Sequence, residues 1–164
     1  MLFFGGISLK KEEIIIQNLA DVPEWVQEVS RCQYMEWGVE EGDTLDGVIY
    51  RTKHAMSKTD ITQTFVATYQ NQFLGTVALW RNDLCARQDL YPWMACLYVK
   101  EEYRHYGIGT MLQNKTMEVA KHLGYSHIYL ITNHDNLYEK NGWIFVEEAP
   151  HGDGTMTKIY QHLL

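Results

Sequence analysis

Trp93-Met-Ala-Cys-Leu-Tyr-Val-Lys-Glu-Glu-Tyr-Arg-His-Tyr-Gly-Ile-Gly-Thr-Met-Leu112 reads as a strand, a turn, a glycine-interrupted loop and the opening of a helix. Met94 to Val99 is a β-prone apolar run of strand length, and Pro92 stands at its start, where a missing N–H is tolerated. Lys100-Glu-Glu-Tyr103 ends that run, and Arg104-His-Tyr-Gly107-Ile-Gly109 leads into an amphipathic helical pattern. A helix start presents four unpaired N–H groups and the positive end of the helix dipole. Glycines at that point let an anion approach the backbone, and an arginine beside them can fork onto phosphate oxygens. The stretch therefore has the make-up of a pyrophosphate cradle.

Two common cradles do not fit. A P-loop requires Lys-Ser/Thr after its last glycine, whereas Gly109 is followed by Thr-Met. The dinucleotide fingerprint requires a third glycine, which Met111 and Leu112 do not supply. The pattern present is Arg-x-x-Gly-x-Gly after a strand ending Leu-Tyr-Val. It resembles motif A of the GNAT superfamily of acyl-CoA N-acyltransferases. A second resemblance centres on Tyr138, 29 residues beyond Gly109: Asn136-Leu-Tyr138-Glu-Lys-Asn-Gly142-Trp143 is similar to the family's motif B, a short helix carrying a tyrosine before a Gly-aromatic strand start. The two motifs stand in the family's order, and each has the local context expected of it. The likeness is close over the C-terminal two-thirds of the chain and rests on element order alone over the first 60 residues.

The rest of the chain gives that element order. Glu13 to Gln17 is a strand candidate around Ile14-Ile-Ile16. Asp21-Val-Pro-Glu24 has the signature of a helix start, and Val22, Trp25/Val26, Val29, Cys32 and Met35 recur at helical spacing until Trp37-Gly38. A polar link, Glu40-Glu-Gly-Asp43, leads to a second helix faced by Leu45, Val48, Ile49, Thr52 and Met56. Strands follow at Thr62–Tyr69 and Phe73–Arg81 around a short hairpin loop, with Gly75 at a candidate bulge. After the cradle, a helix reaches Gly124 and a strand runs from Ser126 to Thr132. One helical turn at Leu137–Lys140 precedes two closing strands, Trp143–Glu147 and Thr155–His162. The expected fold is a mixed α+β domain spanning residues 1–164. Its central mixed sheet would have six to seven strands, flanked by about four helices, as in the GNAT fold.

Composition limits the alternatives. The formal charge of −7 with scattered Lys and Arg argues against a nucleic-acid partner and favours a cationic one. No apolar run, including Met1-Leu-Phe-Phe4 and Ile14-Ile-Ile16, approaches the length of a membrane span, and Met1–Gln17 lacks the pattern of a secretory leader. Three widely spaced cysteines (Cys32, Cys85, Cys96) read as reduced thiols of a cytoplasmic protein. The seven histidines have no metal-ligand spacing, so no metal is expected.

The resemblance implies acetyl-CoA as acyl donor and a primary amine as acceptor, with direct attack in a ternary complex. Its coenzyme site would comprise Arg104, His105, Tyr106, Gly107, Ile108, Gly109 and Thr110. Backbone N–H groups at Leu97, Tyr98 or Val99 would polarise the thioester, and Tyr138 would donate a proton to the leaving thiolate. The family's pantetheine-contacting Asn-x-x-Ala is replaced here by Ile131-Thr-Asn-His134, which leaves Asn136 or Asn133 for that contact. No carboxylate lies on the central strand. The candidates for general base are Glu36, Glu40, Glu41, Asp83 and Asp89 at the cleft border, His134, or a water chain. Glu36, Trp37 and Trp93 are the acceptor-side candidates. A small cationic amine is the first expectation for the acceptor, and a protein or peptide amine the second. A non-catalytic acyl-CoA sensor is the reading from another class. Neither monomer nor homodimer is specified by the sequence.

Overall fold

The computed structural model describes residues 9–164; Met1-Leu-Phe-Phe4 lies outside them. Among the described residues seven strands form one mixed sheet: β1 (Ile15–Asn18), β2 (Gln63–Tyr69), β3 (Gln72–Trp80), β4 (Trp93–Val99), β5 (His127–Thr132), β6 (Ile144–Pro150) and β7 (Met156–Leu163), in spatial order β1-β2-β3-β4-β5-β7-β6. Every neighbouring pair is antiparallel except β4–β5. That pair is joined by helix α4 (Ile108–His122), the strand–helix–strand crossover expected from the sequence. Three further helices come before the sheet proper: α1 (Val26–Gln33), the single turn α2 (Val39–Glu41) and α3 (Leu45–Lys53).

The β2–β3 hairpin turns on Gln70 and Asn71, both at positive φ (48° and 60°), the geometry of a type I′ turn whose twist matches the strands it joins. The bulge expected at Gly75 falls one residue earlier, because Thr68 pairs with Phe73 and Ala67 with Gly75, leaving Leu74 as the extra residue. Gly75 has another role. A Cβ there would lie 2.4 Å from the Tyr98 carbonyl oxygen, so the missing side chain is what lets β4 lie close to β3.

Helix ends differ from the sequence reading for identifiable reasons. Asp21 does not cap α1; it closes a 3-10 turn (Leu19–Asp21), and a second such turn (Pro23–Trp25) delivers the chain to Val26. Nor does Gly38 end the first helix. Tyr34–Gly38 forms a π-helical turn that runs on into α2, and the chain breaks only at Gly42, in the left-handed conformation (φ 77°). Thr44 caps α3, accepting a hydrogen bond from the Gly47 N–H. The main core lies between the sheet and α4 and contains Phe65, Leu74, Val77, Leu79, Ile108, Leu112, Ile128 and Leu130. A second cluster, Leu19, Val26, Val29, Val66 and Phe73, seats α1 on the opposite face.

Candidate active site

The sheet opens at its centre. The β4–β5 ladder consists of one pair, Trp93 opposite Tyr129, supported by the Tyr129 N–H donating to the Pro92 carbonyl at 3.0 Å. Beyond it the two strands diverge. Strand β4 is also irregular against β3: Ala95 faces Ala78 and Tyr98 faces Thr76, so Cys96 and Leu97 together oppose Val77. Cys96 takes the strain of this bulge, at φ 50°, a conformation uncommon outside glycine. The divergence leaves the β5-facing edge of β4 without a full strand partner, which gives an extended ligand backbone groups to pair with.

A cleft of about 400 Å³ follows this opening. Its walls include Leu97 and Val99 from β4, Arg104, His105, Gly107, Ile108, Gly109 and Thr110 from the loop and helix start, and Tyr138 from the far side. With His134 on the rim, ten of the sequence-derived candidates therefore meet in one place. Tyr98 points the other way and packs beside Val66 and Phe73, as the alternation of a strand requires. Tyr106 and Asn136 do not line the cleft; Tyr106 packs on the main core, and Asn136 is exposed at φ 58°.

Gly107 is the residue before the first turn of α4 and sits at φ 80°, which explains a glycine there. Arg104 is exposed in the cleft lining, and its Nε donates to the Val99 carbonyl at 3.0 Å, which ties the guanidinium to the end of β4. The Lys11 ammonium lies beside this loop, 3.5 Å from where a Gly107 Cβ would be. No motif pointed to Lys11, because a single lysine far from the glycine loop in sequence carries no local signal.

Tyr138 is half-buried, and desolvation raises its phenol pKa, so the hydroxyl stays protonated at neutral pH. Among the described residues no hydrogen bond holds that hydroxyl, and the Trp143 ring meets Tyr138 edge-on at 6.1 Å. Four cleft residues were not anticipated: Tyr103, Gln113, Leu137 and Asn141. Gln113 occupies a helical position four residues after Gly109, the spacing that puts both on one face, and this was the available signal.

On the α1–α3 side of β4 lies a polar group of side chains. Arg51 Nη1 is 3.1 Å from Asp43 Oδ2, and its guanidinium carbon stands 5.5 Å from the Trp80 ring. Two buried donors there, Arg51 Nε and Trp80 Nε1, have no partner among the described residues. Asp83, from the β3–β4 loop, has neither ion pair nor hydrogen bond among them. Burial, reinforced by the Glu41 carboxylate and only partly offset by Arg51, pushes its pKa up to about 7. Of the charges acting on the Cys96 thiol, Asp83 is the largest, which ties this carboxyl to the β4 bulge.

The other candidate bases are placed differently. Asp89 is exposed and ion-paired with Arg87 at 2.7 Å. Glu36, Glu40 and Glu41 are exposed on the π turn and α2, and His134 is exposed on the cleft rim. Trp37 is half-buried on the π turn. Trp93 is a correction: it is wholly buried among Leu84, Ala149 and Ile159, its indole N–H donating to the Leu90 carbonyl, so it faces no acceptor.

Among the described residues, no group of His, Cys, Asp and Glu is placed to hold a metal ion, and no helix is long and apolar enough to cross a membrane. All three cysteines are free thiols.

The acetyltransferase (GNAT) family profile matches residues 22–143. The chain belongs to the GNAT acetyltransferase family, whose members use acetyl-CoA as donor. No curated protein sequence matches it. Its fold is similar to that of an aminoglycoside 6'-N-acetyltransferase complexed with coenzyme A, with TM-score 0.71, 18% identity, and 91% of this chain and 96% of that one covered. The aminoglycoside 6'-N-acetyltransferase from Enterococcus faecium aligns with TM-score 0.69, 18% identity and coverage of 91% and 96%. Ard1 from Thermoplasma volcanium aligns with TM-score 0.67, 16% identity and coverage of 93% and 98%.

Proposed function

We propose that this acetyltransferase, acting in the cytoplasm, moves the acetyl group of acetyl-CoA to the primary amine of a small cationic molecule, by direct attack in a ternary complex. The observation that carries the reading is the parting of β4 from β5 directly above the Gly107 helix start. One end of the cleft offers N–H groups, Arg104 and Lys11 to a pyrophosphate, and its wall offers an unpaired strand edge to a pantetheine arm.

The acceptor enters from the Asp83 side. Asp83 accepts the proton of the ammonium group as a base whose pKa of about 7 suits neutral pH. The freed amine nitrogen attacks the thioester carbon, the C–N bond forms, and the carbonyl oxygen is stabilised by N–H groups of the β4 bulge. The C–S bond then breaks, Tyr138, uncharged at this pH, gives its proton to the departing sulfur, and the proton shed by the new amide nitrogen restores the phenol. Cys96 takes no covalent part. Burial and the Asp83 charge hold its thiol far above the range in which a thiolate forms.

The polar group around Arg51 supports an amine that also carries hydroxyl or ether oxygens. The unpartnered Trp80 and Arg51 donors call for acceptor atoms, and the Asp83 and Glu41 carboxylates call for cations. Amino sugars combine both, as do the aminoglycoside substrates named for two of the structural neighbours. The test is coenzyme A thiol release with aminoglycosides, polyamines and peptides as acceptors. Turnover confined to peptides would replace this reading with protein acetylation.

A further inference from the structure

We propose that Gln113 is the positioning residue that sets the Tyr138 phenol at the reacting end of the cleft. The proposal rests on the reading of that cleft as the acetyl-CoA site. Gln113 is only 5% exposed, and its amide oxygen serves as a hub. It accepts from the Trp143 indole N–H at 3.1 Å and from the Asn141 side-chain amide at 3.4 Å. Both donors belong to the turn that carries the tyrosine. The Asn141 N–H donates to the Tyr138 carbonyl at 2.9 Å, and the Trp143 N–H reaches the same oxygen at 3.4 Å. The Trp143 ring then meets Tyr138 edge-on at an interplanar angle of 74°, while His162 packs against Trp143 in the same manner at 5.5 Å.

This arrangement matters because the phenol is directed by packing. Its hydroxyl has no hydrogen bond among the described residues, so its direction comes from packing on the main core, where Trp143 is the ring that meets it edge-on. Trp143 is 2% exposed, and a buried indole N–H requires a partner to hold its orientation. Gln113 supplies that partner. It sits on α4 about one turn, roughly 5.4 Å, beyond the glycine loop. One helix thus fixes both the phosphate grip, at its N-terminus, and the stand of the tyrosine, on its cleft face. The distance between the two ends of the bound coenzyme is built into a rigid element and not left to the exposed segment 133–137.

The test uses Gln113→Leu, which keeps the bulk and removes the acceptor, and Trp143→Phe, which keeps a ring and removes the donor. The Trp143 indole N–H and Tyr138 ring resonances are followed by NMR with the coenzyme A complex. Thiol release from acetyl-CoA is measured with tobramycin and spermidine as amine probes. Gln113→Leu should shift both sets of resonances and lower kcat about tenfold, with KM for acetyl-CoA within about twofold. In the Trp143→Phe background the same substitution should cost clearly less than in wild type, because only the longer bond from Asn141 is left to lose. If Gln113→Leu does not fold, Trp143→Phe alone should shift the Tyr138 resonances and lower kcat. Tyr138 resonances unmoved in both variants would overturn the positioning role while leaving the acetyltransferase reading intact. Full turnover in Tyr138→Phe would instead overturn the acid role, and this proposal with it.

Discussion

Arg104 donates its Nε–H to the carbonyl of Val99 at 3.0 Å, so the last residue of the central strand aims the side chain that faces the phosphate end of the cleft. The two terminal nitrogens of the guanidinium remain for an anion, in an orientation held before any ligand arrives.

Arg104→Ala should therefore weaken coenzyme A binding by about 1.5–3 kcal/mol, roughly 10- to 150-fold in Kd. Arg104→Lys should recover only part of this, since lysine restores the charge but not the fork. Isothermal titration with coenzyme A measures both, and an unchanged Kd in the alanine variant would remove Arg104 from the site.

Asp83 predicts a pH dependence. A carboxyl with a pKa of about 7 is protonated, and useless as a base, below neutral pH. Under subsaturating amine, kcat/KM should rise as pH increases through about 7, and Asp83→Asn should abolish that limb while lowering turnover about 100-fold. A profile with the same limb in the Asn variant would assign it elsewhere.

The same residue predicts an effect on stability of opposite sign. Its folded pKa lies above the unfolded value near 3.8, so the folded state holds the proton more tightly. The resulting advantage is complete below the unfolded value and is lost as pH rises through about 7. Asp83→Asn removes the cost of the buried charge and should raise stability by about 1–3 kcal/mol at pH 8, with little gain at pH 4. Denaturant titrations at the two pH values decide it.

Gly75→Ala tests the backbone approach that shapes β4. The new Cβ would meet the Tyr98 carbonyl oxygen at 2.4 Å, a contact that backbone must move to relieve. A loss of about 1–3 kcal/mol in unfolding free energy is expected, together with weaker coenzyme A binding, because the displaced strand is the cleft wall. Wild-type stability with wild-type affinity would contradict the close approach.

Much of this was readable in the residues, for physical reasons. Gly107 and Gly109 between a strand and a helix mark a loop that an anion can approach, and the resemblance of both motifs to the GNAT family, taken together, supplied the coenzyme cleft and the role of Tyr138. Strand β4 was legible too, but its bulge was not. The strain falls on Cys96, and nothing in Ala95-Cys96-Leu97 marks a residue at positive φ. The π turn at Tyr34–Gly38 escaped because a helical apolar spacing leads into it and a glycine inside a helix looks like its end. Trp93 was misplaced because a tryptophan at a strand start reads equally well as pocket or core, and only the packing of Leu84 and Ile159 decides. Asp83 could be named but not ranked, since its raised pKa depends on its burial and on the charges of Glu41 and Arg51, both distant in sequence. Gln113 and Lys11 depend on contacts that no local pattern encodes.

The most direct test of the account is thiol release from acetyl-CoA across aminoglycosides, polyamines and peptides, with wild type and Tyr138→Phe in parallel. The account predicts turnover with a small cationic amine and a fall of about 10- to 100-fold in kcat for the variant, at unchanged acetyl-CoA affinity. Acetyl-CoA that binds tightly yet releases no thiol with any amine, or a Tyr138→Phe enzyme as fast as wild type, would contradict it.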